Sequence, residues 1–314
     1  MLEIPTVRGW LGGGLLREVE HVLHQREMAA HDALPHPFHN DIAVYARTAN
    51  PMLDPNISTI YSVTSGGGEV LPRLTADPAH GGTVTAEAAG IVELDATISS
   101  VTIEPFKYAV TALWSAELDT DSALGLNRIL AQSAGRELGL DAGVHLTTGD
   151  GSGKPSGWVG NVTNGGTASG GTATQSFDFI APADLPGLFM SVAAPYRNRG
   201  TWMASTTAFQ KILEWRDQND KPIVHMDPTQ AIPTSLYGRP LVENPAMAAV
   251  ASATVSLAFG DFGAAYSVVA LPLRVELSKD FAFGTDQIAL RSILRLDGAV
   301  IDSAALAELT SADT

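Results

Sequence analysis

Cysteine is absent from this sequence of 314 residues. Disulfide bonds and thiolate metal sites are therefore excluded, and stability has to come from packing or from assembly with other chains. Lysine is scarce, and the five lysines are Lys107, Lys154, Lys211, Lys221 and Lys279. Any covalent chemistry of a lysine side chain is restricted to these positions.

Long apolar runs are also missing. The first residues lack the basic and apolar regions of a signal peptide. No apolar run approaches the ~20 residues that are needed to span a bilayer. We therefore expect a soluble chain that has no membrane partner and stays in the cell that makes it.

Positive charge is in deficit. The chain has 19 Lys and Arg residues against 34 Asp and Glu residues, which gives a formal net charge of −15. A protein of this sign is repelled by phosphate backbones, so sequence-specific binding to nucleic acid is disfavoured. An acidic lining would still suit a container for DNA, because a lining that gripped the DNA would hinder its release.

The residues that are present favour a packed protein with many turns. Hydrophobic residues make up 45% of the chain and charged residues 17%, and there are 30 Gly and 18 Pro. This composition is too apolar for a disordered chain and fits one or two domains rich in strands and loops.

The first 57 residues are predicted to form an arm. Apolar residues between Leu15 and Leu23 have helical spacing and predict an amphipathic helix over Leu15–Ala30. Pro35 and Pro37 then enforce extended backbone. A single short helix followed by extended chain has nothing of its own to pack on. We therefore expect it to lie on another part of the protein or on a neighbour.

A long acidic hairpin is predicted after the arm. A short strand over Glu69–Leu74 precedes the strands Thr83–Ala88 and Ile91–Glu104, which flank a candidate turn at Ala89-Gly90. Two strands alone are only marginally stable in water. The hairpin is therefore expected to lie across a neighbouring subunit, which is a first indication of an assembly protein.

The strongest helical pattern covers residues 121–140. Asp121 or Ser122 can cap it, and Gly139 and Gly143 are predicted to end it. Its apolar stripe is formed by Leu126, Ile129, Leu130 and Leu138.

The rest of the chain is predicted to contain loops, one helix and several strands. The patterns predict a glycine-rich connector at 148–158, a flexible surface loop at 161–174 and a helix at Ser205–Asp217. They also predict strands at Tyr266–Leu277 and Ile288–Leu296, a turn at Asp297-Gly298 and a helical turn at Ser303–Leu309.

Histidines are concentrated near the start of the chain. Five of the eight lie between residues 21 and 39, at His21, His24, His31, His36 and His39. A zinc site needs three or four ligands that converge in space, and a di-iron helix bundle needs a second Glu-x-x-His motif that the sequence lacks. The simpler interpretation is a solvated arm whose charge rises below about pH 6.5.

Other catalytic and binding motifs are incomplete, because each lacks a residue that it requires. The segment Gly149–Lys154 lacks the first Gly and the final Ser or Thr of a phosphate-binding loop, since Thr148 and Pro155 stand there. No Gly-x-Ser-x-Gly nucleophile motif exists. Asp119 and Asp121 begin like a calcium loop but lack its Gly, so helix capping explains them better. We assign no catalytic, cofactor-binding or metal-binding residue.

Five segments, in the right order, resemble the major capsid proteins of tailed bacteriophages that have the Hong Kong 97-like (HK97-like) fold. The glycine-rich connector resembles the family segment that follows its long helix. The other four resembling segments are Trp202–Asp217, Leu236–Val242, Phe259–Phe262 followed by Tyr266, and Leu290–Val300 followed by Ala304–Ala307.

This resemblance implies an α+β fold with four parts. They are an N-terminal arm at 1–57, an extended β-hairpin loop at 76–105, a peripheral domain at 58–75, 106–145 and 266–314 with a long spine helix at about 121–141, and an axial domain at 146–265. Some family members carry a scaffolding segment before the arm. With about 57 residues before the first core strand, either the scaffolding is a separate protein or the chain has been processed.

The resemblance also implies a structural function and not an enzyme. The expected partners are further copies of the chain in hexamers and pentamers, a portal protein, scaffolding or decoration proteins where present, and double-stranded DNA held without sequence specificity. The expected location is the virion capsid, assembled in the host cytoplasm. Some members cross-link through a lysine in the extended loop. None of the five lysines lies in 76–105, which predicts a non-covalent shell.

Two other classes of protein remain open. An encapsulin-type nanocompartment uses the same fold to package an enzyme, and its contents would distinguish it from a phage head. A soluble metal-dependent enzyme would use the cluster His21–His39, and metal analysis of the pure protein would test it.

Overall fold

The fold is described from a computed structural model. It describes residues 44–64, 66–76, 97–121, 126–168, 180–216, 219, 224 and 235–311. The predicted arm helix, the histidines from His21 to His39 and His225 lie outside these residues. So do the predicted strand Thr83–Ala88, the predicted turn Ala89-Gly90 and much of the predicted loop at 161–174.

Thirteen strands and six helices are named here in chain order. The strands are β1 Thr59–Ser62, β2 Glu69–Ala76, β3 Thr97–Ile103, β4 Phe106–Ser115, β5 Thr163–Thr167, β6 Thr201–Ala204, β7 Ser235–Leu236, β8 Arg239–Glu243, β9 Val255–Gly260, β10 Tyr266–Ala270, β11 Arg274–Ala282, β12 Gln287–Val300 and β13 Leu306–Thr310. The helices are α1 Ala116–Asp121, α2 Leu126–Thr148, α3 Asp184–Ser191, α4 Ala194–Arg197, α5 Thr206–Glu214 and α6 Phe262–Ala265. Residues 44–49 are also helical.

The first sheet is built around β12. Strand β4 pairs antiparallel with it from Ser115↔Gln287 to Phe106↔Leu296, while β10 and β11 pair with successive parts of it, and β1 joins β10 in parallel. Successive side chains of a strand point to opposite faces. One face therefore packs under α2 through Trp114, Val275 and Leu290. On the other face, Val269 and Ala299 pack against Ile103 of β3.

The second sheet has the order β5-β13-β9-β6-β8-β7. Its core contains a cluster of aromatic rings. Trp202 and Phe259 lie 4.4 Å apart between ring centroids, and Phe189 of α3 lies 4.9 Å from Phe259. Helix α5 begins at the predicted place, where the Ser205 hydroxyl accepts a hydrogen bond from the Ala208 N–H, and it buries Ile212. The predicted helix at Ser205–Asp217 is confirmed as far as Glu214.

The predicted long helix is shifted towards the C-terminus. Residue Asp121 ends α1, and α2 then runs to Thr148, so neither Gly139 nor Gly143 ends the helix as predicted. A side-chain carbon added at Gly139 would lie 2.8 Å from the Cα of Ala46, and one at Gly143 would meet the side chain of Asn50. The two glycines are therefore packing positions. They let the helical residues 44–49 approach α2 closely.

The predicted turn at Asp297-Gly298 is also wrong. Strand β12 continues through both residues to Val300. A side-chain carbon at Gly298 would lie 2.8 Å from Cε1 of Tyr266, which pairs with Val300 on the neighbouring strand. The glycine makes room for this ring within a continuous strand. The predicted strand Tyr266–Leu277 is in turn two strands, β10 and β11, separated at Leu271-Pro272-Leu273.

The last part of the described chain joins the second sheet. Only Ser303–Ala305 form the predicted helical turn, as a 3₁₀ helix, and Leu306–Thr310 form β13. Strand β13 lies between β5 and β9, parallel to the first and antiparallel to the second. The predicted peripheral segment 266–314 thus includes a strand of the second sheet. Part of the predicted loop at 161–174 is strand β5. The domain boundaries stay predictions.

Candidate self-association surfaces

The described residues contain no group of three or more His, Asp and Glu side chains that could hold a metal ion. His145 lies on α2, and its Nδ1 is 2.9 Å from the hydroxyl of Tyr108 on β4. This contact ties the helix to the sheet. Within the same residues, no helix is long and apolar enough to cross a membrane.

The glycine-rich connector forms a closed turn. Asp150 and Ser156 face each other in a short antiparallel bridge, and the Lys154 Nζ lies 3.3 Å from an oxygen of Asp150. The other oxygen of Asp150 accepts a hydrogen bond from the Ser152 N–H. The lysine is thus paired with a carboxylate within its own turn, as expected of a tight connector and not of a phosphate-binding loop.

A polar cluster lies where the hairpin joins the first sheet. The Asp297 carboxylate accepts hydrogen bonds from the N–H groups of Glu104, at 2.8 Å, and Gly298, at 2.7 Å. Burial raises the pKa of Asp297 above its usual range. Burial and the charge of Asp297 also raise the pKa values of Tyr108 and Tyr266, so both phenols stay protonated at neutral pH. The cluster fixes the chain at the base of the hairpin.

The described part of the hairpin consists of β2 and β3. They pair with each other from Glu69↔Ile103 to Ala76↔Thr97, so the hairpin begins at Glu69 and not at Thr83 as predicted. At its base, Ile103 is buried with Val269 and Ala299. Beyond that contact the two strands form a separate two-stranded sheet. Because such a pair is marginal in water, this geometry needs support from another surface.

An apolar patch lies at one end of the first sheet. Phe281 and Phe283, at the connection between β11 and β12, are 72% and 83% exposed. Leu113 of β4 and Leu118 of α1 are half exposed nearby, where the Ala116 N–H donates to the Asp286 carbonyl. We call these four residues the apolar end. Exposed apolar side chains gathered at one place are typical of a protein interface.

The second sheet exposes apolar side chains at its β7–β8 edge. Tyr237 lies in the turn between these strands with a φ of 51°, and its ring is 6.2 Å from that of Phe189. The next residue of α3, Met190, is also exposed, and its sulfur accepts a hydrogen bond from Arg197. Both sheets therefore present apolar surface to solvent at an edge.

Sequence patterns predicted the hairpin as an interface but missed the apolar end. The predicted strand stopped at Leu277, whereas β11 continues to Ala282. The sequence signal that could have indicated the apolar end was the pair Phe281 and Phe283, two aromatic residues close to Gly284 between two strands.

The fold is similar to solved capsid structures. The capsid of a native GTA particle matches with a TM-score of 0.68 at 22% identity, over 84% of this chain and 90% of that chain. Structures from Gordonia phage Cozz and Mycobacterium phage Adephagia match with TM-scores of 0.57 and 0.58 at 17% and 14% identity, over 82% and 85% of this chain and 85% and 89% of theirs. These matches confirm the predicted HK97-like fold.

Sequence comparison with curated proteins found no match. The model of the phage capsid family, in contrast, matches residues 32–311. This range includes the described hairpin, both sheets and the long helix α2. The chain therefore belongs to the phage capsid family.

Proposed function

We propose that the chain is the major capsid protein of a tailed phage. In this proposal it assembles into hexamers and pentamers that close into an icosahedral head around double-stranded DNA. The observation that carries the proposal is the family match over residues 32–311. The hairpin β2–β3 and the apolar end add support, because each presents a surface that a lone subunit leaves uncovered.

The proposed role is structural and not enzymatic. Its partners are further copies of the chain, a portal protein, and scaffolding or decoration proteins where present. The subunits assemble in the host cytoplasm and end in the virion. No lysine lies in residues 76–105, so the overlap of hairpins and arms between neighbours holds the shell without covalent bonds.

Negative-stain electron microscopy of the expressed chain tests the proposal. We expect closed shells with capsomers of sixfold and fivefold symmetry, because the uncovered surfaces find partners only in an assembly. A chain that stays monomeric at all protein concentrations would contradict it. The contents of the particles provide a second readout: DNA supports the phage head, whereas a packaged enzyme indicates a nanocompartment.

A further inference from the structure

The edge strand β5 contains a bulge. It pairs in parallel with β13 at Asn164↔Glu308 and again at Thr167↔Thr310, with a register shift between the two pairs. Three steps along β5 (164 to 167) therefore lie against two steps along β13 (308 to 310), so β5 carries one extra residue. An extra residue of this kind interrupts the ladder and bends the strand. The interruption falls on the glycines at 165–166.

Packing and backbone geometry require both glycines. A side-chain carbon added at Gly165 would lie 3.0 Å from the carbonyl oxygen of Glu308, and it would also overlap the side chain of Leu188 on α3. Gly166 has a φ of 122°, a backbone conformation that residues with a side chain rarely adopt. The bulge therefore places two residues without side chains directly after Asn164.

The side chain of Asn164 closes the bulge. Its Oδ1 accepts a hydrogen bond from the Gly166 N–H at 2.9 Å, and the residue is exposed to solvent. In such a turn the asparagine side chain folds along its own backbone and mimics a backbone turn. The side-chain amide of Asn164 is thus held beside the peptide bond that joins it to Gly165.

Asn164 is also the only one of the nine asparagines in the sequence that is followed by glycine. A backbone nitrogen that belongs to glycine is open to approach, because no side chain shields it. Asn161 offers the contrast, since the β-branched side chain of Val162 crowds the corresponding nitrogen. The bulge therefore combines an exposed side-chain amide, an unshielded backbone nitrogen and a hydrogen-bond donor at the amide oxygen.

We propose that Asn164 is a site of spontaneous covalent modification, at which the folded chain converts its own asparagine into aspartate and isoaspartate. The inference goes beyond the proposed function and does not depend on it, because all the reacting groups belong to one chain and the only co-reactant is water. The turn holds the reacting groups close together. The Gly166 N–H also faces the oxygen on which negative charge develops when the amide is attacked, and a donor at that place lowers the barrier.

The reaction has two steps. In the first, the backbone nitrogen of Gly165 forms a bond with the side-chain amide carbon of Asn164 and gives up its proton. The bond from that carbon to Nδ2 breaks, ammonia leaves with the proton, and a cyclic imide remains. In the second, water adds to one of the two imide carbonyls and opens the ring to aspartate or isoaspartate. One water is consumed and one ammonia is released, and nothing is oxidised or reduced.

The product changes the seam between β5 and β13. It carries a carboxylate where the neutral amide stood, directly opposite Glu308 in the register. Glu308 is buried, its Oε2 accepts a hydrogen bond from the Gly160 N–H at 2.9 Å, and burial raises the pKa of its carboxyl. A second negative charge nearby opposes the ionised form of Glu308 further. Isoaspartate also lengthens the backbone of β5 by one carbon, so conversion weakens the pairing with β13.

Peptide mapping by mass spectrometry tests the proposal on the purified full chain, fresh and after storage in mildly alkaline buffer. We expect the mass change of an amide-to-acid conversion at Asn164, at a rate at least roughly tenfold above that at Asn161, the internal control. Asn164→Gln keeps an amide but lengthens the side chain, which disfavours the ring, so conversion at this position should be lost. Equal rates at Asn161 and Asn164 overturn the proposal.

The rate in urea separates the folded geometry from the bare sequence. The unfolded chain keeps Asn164 next to Gly165 but loses the hydrogen bond from Gly166. We expect the folded chain to convert severalfold faster than the unfolded one, because the turn holds the reacting groups together. An equal or higher rate in urea would show that the bulge does not promote the reaction, and the proposal would then be wrong.

Hydrogen exchange measures the consequence for the fold. We expect storage to accelerate the exchange of the β5 backbone amides severalfold in the unsubstituted chain but not in Asn164→Gln, because only the first acquires the new charge and the longer backbone. Unchanged exchange in a chain whose Asn164 has been fully converted contradicts the weakening of the seam.

Discussion

At the scale of single residues, two glycines set how close the start of the described chain lies to the long helix. Gly139 and Gly143 both sit inside α2, where glycine normally costs about 1 kcal/mol relative to alanine. The helical residues 44–49 and Asn50 occupy the space that their side chains would fill. Close packing at this position therefore outweighs helix propensity.

We expect Gly139→Ala to destabilise the subunit by up to about 2 kcal/mol. Alanine favours the helix by about 1 kcal/mol, but overpacking against Ala46 and Ala49 costs about 1–3 kcal/mol. Denaturant unfolding of the dissociated subunit measures the difference. Gly187→Ala in α3 is the matched control, since no atom lies within 4 Å of the added carbon, and it should be neutral or stabilising. An equal gain for both variants would show that Gly139 is not a contact position.

At the scale of elements, a buried polar chain holds three segments together. The Asn50 side chain accepts a hydrogen bond from the Met52 N–H at 2.9 Å and donates to Asn244 at 3.1 Å, and Asn244 donates to the hydroxyl of Thr147 at 3.1 Å. All three side chains are buried. They join the start of the described chain, the residue after β8 and the end of α2 at one point.

Replacement of Asn50 with alanine should therefore cost about 2 kcal/mol of unfolding free energy. It leaves the Met52 N–H buried without its acceptor and removes one partner of Asn244. Asn56→Ala is the control, because Asn56 is exposed and bonds only to Asp54 among the contacts described, and it should change stability by less than about 0.5 kcal/mol. Thermal unfolding of both variants compares the two. Equal shifts in Tm would contradict the role of the buried chain.

Sequence patterns predicted the helices and strands that neighbouring residues determine. They failed where contacts between residues far apart in the chain determine the structure. The helix α5 was predicted from the apolar residues Phe209, Ile212 and Leu213, and the structure adds the cap by the Ser205 hydroxyl. The prediction of a turn at Asp297-Gly298 was wrong. An Asp-Gly pair indicates a turn only where no other residue occupies the space that the absent side chain of the glycine leaves. Here Tyr266, thirty-two residues before Gly298 in the chain (298 − 266), occupies that space. The sequence order of the capsid-like segments predicted the family. The pairing of β4 with β12 could not be predicted, because it joins residues that are far apart in the chain.

At the scale of the whole molecule, the few lysines constrain how a shell can be held together. Residues 76–105 contain none, and Lys107 lies on the first sheet beyond the hairpin. In the proposed non-covalent shell, stability would come from surface buried between subunits, including the apolar end, and from pairing of opposite charges.

We expect denaturing gels of purified particles to show one band at the 32.9 kDa of the monomer. Detergent separates subunits that are joined only by non-covalent contacts. Particles boiled and particles left unheated should give the same result once the detergent has unfolded the chain. A ladder of bands at multiples of the monomer mass would show covalent links and contradict this expectation.

The position of β13 has a consequence for the order of events during synthesis. This strand forms the seam between β5 and β9, yet it comes more than forty residues after β9 in the chain (306 − 260 = 46). Until Thr310 has left the ribosome, the second sheet stays in two pieces with unpaired edges. Pairings between such distant residues form slowly. We therefore expect a subunit to become competent for assembly only when translation has passed this strand.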